Sequence, residues 1–324
     1  MNGVLKVSVH DKRNSYKFEL HRNITVLCGD SGTGKTTLFE MVSDYNRYGK
    51  NSSVKISCNR EVIALSGRDW ENELLSQTNS LIIIDEDSKF IKSKEFANLI
   101  NGSSNYFLLI TRNYLEQLPI SVKEVYNLQG IKNKKFVKEY KEIYDIYDSP
   151  SKRSLPFTPE VIITEDSKTG YQFFKELSDK LGIICVSAYG KSNIYNLLND
   201  YSKKNVLVIA DGAAFASEMR SIVKLQQLLP KKIAIYLPES FEWLILKSGL
   251  INDVDWEKIT IPEQFIDSEK YISWERYFTD LLVKTTNSMR GKKYPSNKGK
   301  LPDFYLQESS IVKVKETMKG VNLD

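Results

Sequence analysis

Gly29-Asp30-Ser31-Gly32-Thr33-Gly34-Lys35-Thr36 fits the spacing G-x-x-x-x-G-K-[ST] and lies between an apolar run, Ile24 to Cys28, and a helical run, Thr36 to Tyr45. The loop needs a strand before it and a helix after it, so the segment predicts an α/β domain. Glycines at 29, 32 and 34 permit backbone angles that other residues resist. Successive amide N–H groups then converge on phosphate oxygens at the positive end of the helix. Gly29, Asp30, Ser31, Gly32, Thr33, Gly34, Lys35, Thr36 and Thr37 are therefore the candidate nucleotide-binding residues. Lys35 would reach the outer phosphates and Thr36 would ligate Mg2+. ATP is the default nucleotide, since no base-specific motif is visible.

Further along, Leu81-Ile82-Ile83-Ile84-Asp85-Glu86 has the form of a buried strand ending in acids, and it resembles a Walker B motif. Asp85 would hold the magnesium ion from outside its first ring of ligands. Glu86 stands where many hydrolysing P-loop enzymes keep the carboxylate that orients or deprotonates the attacking water. A solvated acidic turn continued by Asp87 and Ser88 is the alternative. The next strand ends in Thr111-Arg112-Asn113, where Thr111 and Arg112 are candidate phosphate sensors or, equally, a cap and a surface charge.

Alternation in Val4 to Val9 and Tyr16 to Leu20 predicts a hairpin feeding the loop strand. Val54 to Ser57 and Glu61 to Leu65 read as short strands, Asp69 to Gln77 as a helix, and Leu81 to Ile84 and Tyr106 to Ile110 as buried strands around a helix near Ser93 to Ile100. Residues 1–135 thus form a P-loop NTPase domain. A lysine-, tyrosine- and acid-rich linker over 136–159 breaks at Ser149-Pro150, Pro156 and Pro159. Over 160–283 the alternation restarts: strands Val161 to Thr164, Ile183 to Ser187, Val206 to Ala210 and Ile233 to Leu237, with helices Tyr171 to Leu181, Asn193 to Ser202 and Phe215 to Leu229 between them. This is a second, Rossmann-like α/β domain, followed by a basic segment over 284–324.

In that second domain the acids fall at strand ends, Glu165-Asp166 after the first and Asp211-Gly212 after the third. Parallel strands bring such ends to one edge, so Glu165 and Asp211 are candidate ligands of a hard divalent cation, Mg2+ or Mn2+, and Glu239 or the nearby Glu242 would complete the set. Strand-end acids also start turns and cap helices, and Gly190-Lys191-Ser192 would begin a helix without touching phosphate.

The order of a strand-end Glu, a Gly-Lys segment and a strand-end Asp over about residues 160–245 resembles the Toprim domain of topoisomerases, primases and OLD-family (overcoming lysogenization defect) nucleases. The resemblance implies that Glu165 acts as acid–base or metal ligand, Asp211 as metal ligand and Lys191 as a phosphate contact or electrostatic stabiliser. Where that family carries Asp-x-Asp, this chain has Asp211-Gly212-Ala213. The hairpin before the loop resembles the nucleotide heads of ABC, SMC and OLD-type ATPases, although no LSGGQ-like signature is present. A compact OLD-type arrangement implies an ATPase that regulates a metal-dependent nuclease in defence against phage or other foreign DNA. The alternative is a regulatory ATPase whose second domain binds nucleic acid or a protein partner within a larger complex without cutting.

Composition narrows the remaining classes. With 41% hydrophobic residues in 324, the chain has ample core material, and its apolar runs are far shorter than the roughly 20 residues that span a bilayer. The N-terminal stretch lacks the pattern of a signal peptide. Three scattered cysteines, Cys28, Cys58 and Cys185, argue for buried thiols in a reducing cytoplasm. With only His10 and His21, acid–base chemistry must rest on carboxylates and lysines. Lys284, Arg290, Lys292, Lys293, Lys298 and Lys300 cluster without an acid around Tyr294. Arg290, Lys292, Lys293, Lys298 and Lys300 are candidate contacts to nucleic acid, DNA above all, with Tyr294 stacking on a base; a solvated basic loop is the alternative. Trp243 and Leu244 to Leu246 form either a buried helix or the contact of a homo-oligomer.

Overall fold

The structure is a computed structural model that describes residues 2–113, 115–143, 158–229, 232–318 and 320–323. The chain divides into two compact units, one of residues 1–139 with 261–273 and the other of residues 140–260 with 274–324. Of the expected linker, the breaks at Ser149-Pro150 and Pro156 lie outside the described residues. Its first residues belong to a strand, Asn133–Lys138.

The first unit is built on a nine-stranded sheet. In chain order its strands are β1 Leu5–His10, β2 Ser15–Leu20, β3 Ile24–Cys28, β4 Lys55–Ser57, β5 Val62–Ala64, β6 Leu81–Ile84, β7 Tyr106–Ile110, β8 Val125–Gln129 and β9 Asn133–Lys138. They lie in the order β4-β1-β2-β9-β8-β3-β7-β6-β5. From β8 to β5 every neighbouring pair is parallel, and these strands carry the phosphate-loop motif and the acidic strand end. Their sequences show why they run through the middle. β6 and β7 are apolar at every position and buried at every position, as strands covered on both faces must be. β1 and β2 alternate instead and pair antiparallel, with Leu5, Val7, Val9, Tyr16, Phe18 and Leu20 on the core side. Helix α1, Lys35–Tyr48, adds Leu38, Met41 and Val42, spaced so that one helical stripe meets that core. Helices α2 Trp70–Ser76 and α3 Lys94–Ile100 flank β6, and Trp70 stacks on Phe90 with ring centroids 4.4 Å apart. Residues 261–273 join this unit through Gly3 N–H to Glu263 O at 2.6 Å and through buried Pro262 and Ile266.

The second unit holds a four-stranded, wholly parallel sheet of β10 Val161–Thr164, β11 Ile184–Ser187, β12 Val206–Ile209 and β13 Ile233–Tyr236, ordered β11-β10-β12-β13. Helices α4 Thr169–Leu181, α5 Ile194–Asp200 and α6 Ala216–Leu228 connect consecutive strands. Phe173, Phe174 and Leu177 point α4 into the core as their spacing requires. Helix α7, Phe241–Lys247, buries Leu244, Ile245 and Leu246 completely, which identifies that run as interior. The segment expected as a separate basic tail is part of this fold: after α8, Trp274–Thr286, the chain buries Tyr294, Leu301, Tyr305, Ile311 and Val314. Arg290 to Lys300 is a loop, as its glycine and proline content predicts. Among the described residues no helix is long and apolar enough to cross a membrane. Cys185 is buried, whereas Cys28 and Cys58 are only half-buried, a correction to the expectation of buried thiols.

Candidate functional site

The loop Gly29 to Gly34 leaves the carboxyl end of β3 and enters α1. Gly29, Gly32 and Gly34 sit at φ of +103°, +76° and +100°, where residues with a Cβ are strained. A Cβ on Gly29 would stand 2.5 Å from Asn127 Oδ1, so the loop also needs glycine there for clearance. Lys35 folds back over the turn, donating to Gly29 O at 2.9 Å, Asp30 O at 2.6 Å and Thr33 Oγ1 at 3.1 Å. Burial and the Arg112 guanidinium lower its pKa from the ordinary lysine value. Two side chains that the sequence did not flag brace the loop from the neighbouring strands. Tyr16 donates to Gly34 O at 2.8 Å and Lys134 donates to Thr33 O at 2.7 Å. They face each other across the parallel β2 and β9. Lys134 escaped notice because β9, Asn133-Lys-Lys-Phe-Val-Lys138, is too polar to read as a strand.

Because β7 lies between β3 and β6, the acids after β6 and the residues after β7 reach toward the loop together. Asp85 is buried beside Thr36 and accepts the Glu86 N–H at 2.8 Å; burial raises its pKa, and the Thr36 hydroxyl opposes the rise. A hydroxyl beside a buried carboxylate supplies the hard oxygen donors that magnesium takes, so Thr36 and Asp85 fit that ion. Arg112 bridges the loop and the acid, donating to Ser31 Oγ at 2.7 Å and pairing with Glu86 Oε2 at 3.4 Å. Thr111 is buried and its hydroxyl accepts the Asn113 N–H at 3.0 Å, so of the two candidate sensors the arginine is the one that meets the loop.

In the second unit the sheet order places β11 and β12 on opposite sides of β10, and crevices form at the carboxyl ends of such strands. Glu165 and Asp211 meet there: Asp211 N–H donates to Glu165 Oε2 at 3.0 Å. A small cavity of about 20 Å³, lined in part by Glu165, Asp166, Asp211, Glu242 and Lys298, opens beside them. Glu242, not Glu239, joins the carboxylates lining it, because α7 starts with Ser240 as its cap and turns Glu242 inward. Asp166 is a helix cap, accepting the N–H groups of Lys168, Gly170 and Tyr171. Lys191 donates to Ala214 O at 3.1 Å and Ser217 Oγ at 2.9 Å, close enough to favour the Glu165 charge. At the position of the absent second Asp, Ala213 is buried, and Gly212 packs so closely that a Cβ would stand 2.8 Å from Leu237 O.

Two expectations for the basic segment are overturned here. Tyr294 is fully buried, donates to Glu242 Oε1 at 2.8 Å and accepts from the Thr169 hydroxyl at 2.7 Å, so its ring does not stack on a base. Lys298 turns inward to Glu242 Oε1 at 3.1 Å and Glu275 Oε1 at 2.7 Å instead of facing a nucleic-acid backbone. Burial works against its charge, but Glu242, Asp211 and Glu275 outweigh it and hold its pKa above the ordinary value. Arg290, Lys293 and Lys300 are exposed, and Lys292 lies with its ammonium 4.4 Å from the centre of the Phe304 ring. The divalent ion implied by the Toprim resemblance does not fit these residues, since a lysine ammonium already sits among the carboxylates. Among the described residues no group of three or more His, Cys, Asp and Glu side chains is arranged to hold a metal. Sequence reasoning missed Glu275 and the role of Lys298, which are remote in the chain from Glu165 and Asp211.

Burial above all pushes the Glu165 carboxyl up to about 7, with Glu275 and Asp166 adding to the shift and the Asp211 N–H and Lys191 opposing it. Asp211 moves the same way, through burial and the acids around it. A folded pKa above the ordinary 4.5 means that the folded chain keeps a proton the unfolded chain releases. The resulting stability is full below about 4.5 and is lost as pH rises toward about 7. The urea midpoint is therefore expected to fall across that window, and Glu165→Gln to flatten the fall; an equally steep slope in the variant would count against this assignment.

No protein-family model matches the chain, and no curated protein matches it.

Proposed function

We propose that the first unit is a magnesium-dependent nucleoside triphosphatase, with ATP the expected nucleotide, and that its cycle regulates the second unit. The observation that carries this reading is the meeting of three strand ends at one loop: buried Asp85 beside Thr36, Arg112 on Ser31 and Glu86, and the Lys35 ammonium within the turn. Thr36 and Asp85 would hold magnesium, which when bound neutralises charge on the phosphate oxygens. Lys35 exchanges loop carbonyls for outer phosphate oxygens, and Arg112 has the reach to follow. Glu86 then orients water and accepts its proton as the oxygen attacks the terminal phosphorus, whose bond to the bridging oxygen breaks to release the nucleoside diphosphate. Phosphate release from ATP and magnesium tests this. Glu86→Gln is expected to lower turnover by about 10²–10⁴-fold while nucleotide affinity stays within about threefold. Turnover unchanged in that variant, or no hydrolysis by wild-type protein that still binds ATP, would defeat the reading.

For the second unit, Lys298 among the carboxylates favours a module that binds nucleic acid or a protein partner without metal-dependent cutting. The exposed Arg290, Lys293 and Lys300 suit contact with a DNA backbone. The meeting of Glu165 and Asp211 at a crevice between strands is what favours a second reading, a Toprim-like nuclease under ATP control, and by resemblance to OLD-family proteins a role in defence against foreign DNA. Incubating linear, nicked and supercoiled DNA and RNA with magnesium or manganese, with and without ATP, separates the two. Cleavage lost in Glu165→Gln selects the nuclease, and no cleavage in any condition selects the binding module.

A further inference from the structure

The carboxylate cavity of the second unit contains its own cation, and the chain is shaped to keep it there. Lys298 sits at φ +53°, a left-handed conformation that residues with side chains rarely adopt without compensation. The compensation is local. Gln172 on α4 donates to Gly299 O at 2.8 Å and accepts from Leu301 N–H at 2.9 Å, strapping down the segment just after the lysine. Lys298 N–H closes a turn onto Pro295 O at 3.0 Å. The side chain is only 19% exposed, and its ammonium binds Glu242 and Glu275.

An independent observation shows that an acid of the cavity lacks a partner. Glu242 is fully buried and lines the cavity, and its Oε2 has no hydrogen-bond partner while its Oε1 takes Lys298 and Tyr294. A buried carboxylate oxygen left unpaired is costly, and about 20 Å³ beside it is room for one water-sized occupant. Oxygen donors in this number suit a hard divalent ion. The lysine charge repels such an ion at short range.

We propose that Lys298 is a built-in counter-cation that keeps this cavity closed to divalent metals, and that neutralising it lets the Glu242, Glu165 and Asp211 carboxylates, not now arranged around an ion, close on Mg2+ or Mn2+. The inference concerns the second unit alone, so a chain without ATPase activity would leave it standing.

Mn2+ titration of the nucleotide-free protein, followed by loss of the free-ion electron paramagnetic resonance signal, is the test. Wild-type protein is expected to show no site in the second unit. Lys298→Met is expected to gain one, at least about 10²-fold tighter, and to lose it again when Glu242→Gln is added. A wild-type site that vanishes in Glu165→Gln overturns the proposal, as does a folded Lys298→Met protein that gains none. If Lys298→Met does not fold, calorimetry of the wild type decides. An unfolding temperature unmoved by millimolar Mn2+ upholds the exclusion, whereas a rise that Glu165→Gln abolishes overturns it.

Discussion

Lys35→Met is expected to reduce nucleoside triphosphate hydrolysis by about 10²–10³-fold, the usual cost of removing one preorganised donor from a site of developing negative charge. Three oxygens of the loop surround the ammonium, at Gly29, Asp30 and Thr33, so its position is fixed by the turn itself. Methionine follows the same path with similar volume and leaves the two carbonyls to water. The fold of the first unit therefore stays intact while the cation is gone. Arginine is no substitute, because its planar fork does not fit inside a turn shaped for a compact ammonium. Phosphate release and fluorescent-nucleotide binding, measured on the same preparation beside an unfolding curve, check the result. Hydrolysis at the wild-type rate would detach the activity from this loop.

Glu242→Ala is expected to destabilise the second unit by about 3–5 kcal/mol, the range for breaking a buried ion pair by deleting one partner. Glu242 is fully buried, and its loss leaves the Lys298 ammonium and the Tyr294 hydroxyl without their shared acceptor. Glu275 would keep part of the lysine charge satisfied, but its side chain is 32% exposed and that pair is more screened. Urea unfolding followed by tryptophan fluorescence measures the shift. Adding Lys298→Met should recover much of it, since the stranded charge is what makes the single change costly. A shift below about 1 kcal/mol in the single variant would mean that water reaches the cluster.

The loop, the buried strands and the helices between them were legible because each states its structure locally. β3, β6, β7 and β10 lie where the apolar runs begin and end, and Glu165 and Asp211 meet because parallel strands bring such positions together. Positions fixed by distant contacts were not legible. β8 and β9 lack a strong pattern, and β9 is held by pairing with β2 and β8 instead of by its own residues. Lys298 and Tyr294 read as surface groups because a basic loop looks alike whether it faces water or folds over buried acids. Only Glu242 and Glu275, supplied by other helices, decide it. Ala213 was visible as a departure, but that its side chain lies buried shows only in the fold.

The placement of residues 261–273 in the first unit has a consequence for how the chain is made. A ribosome releases the N-terminus first, and domains generally fold in that order as they emerge. Here Gly3 awaits Glu263, so the nucleotide-loop unit cannot close these contacts until residues 140–260 of the second unit have been synthesised. The N-terminal sheet must therefore pass through translation as an unfinished body, without its contact to residues 261–273 while the second unit's strands emerge.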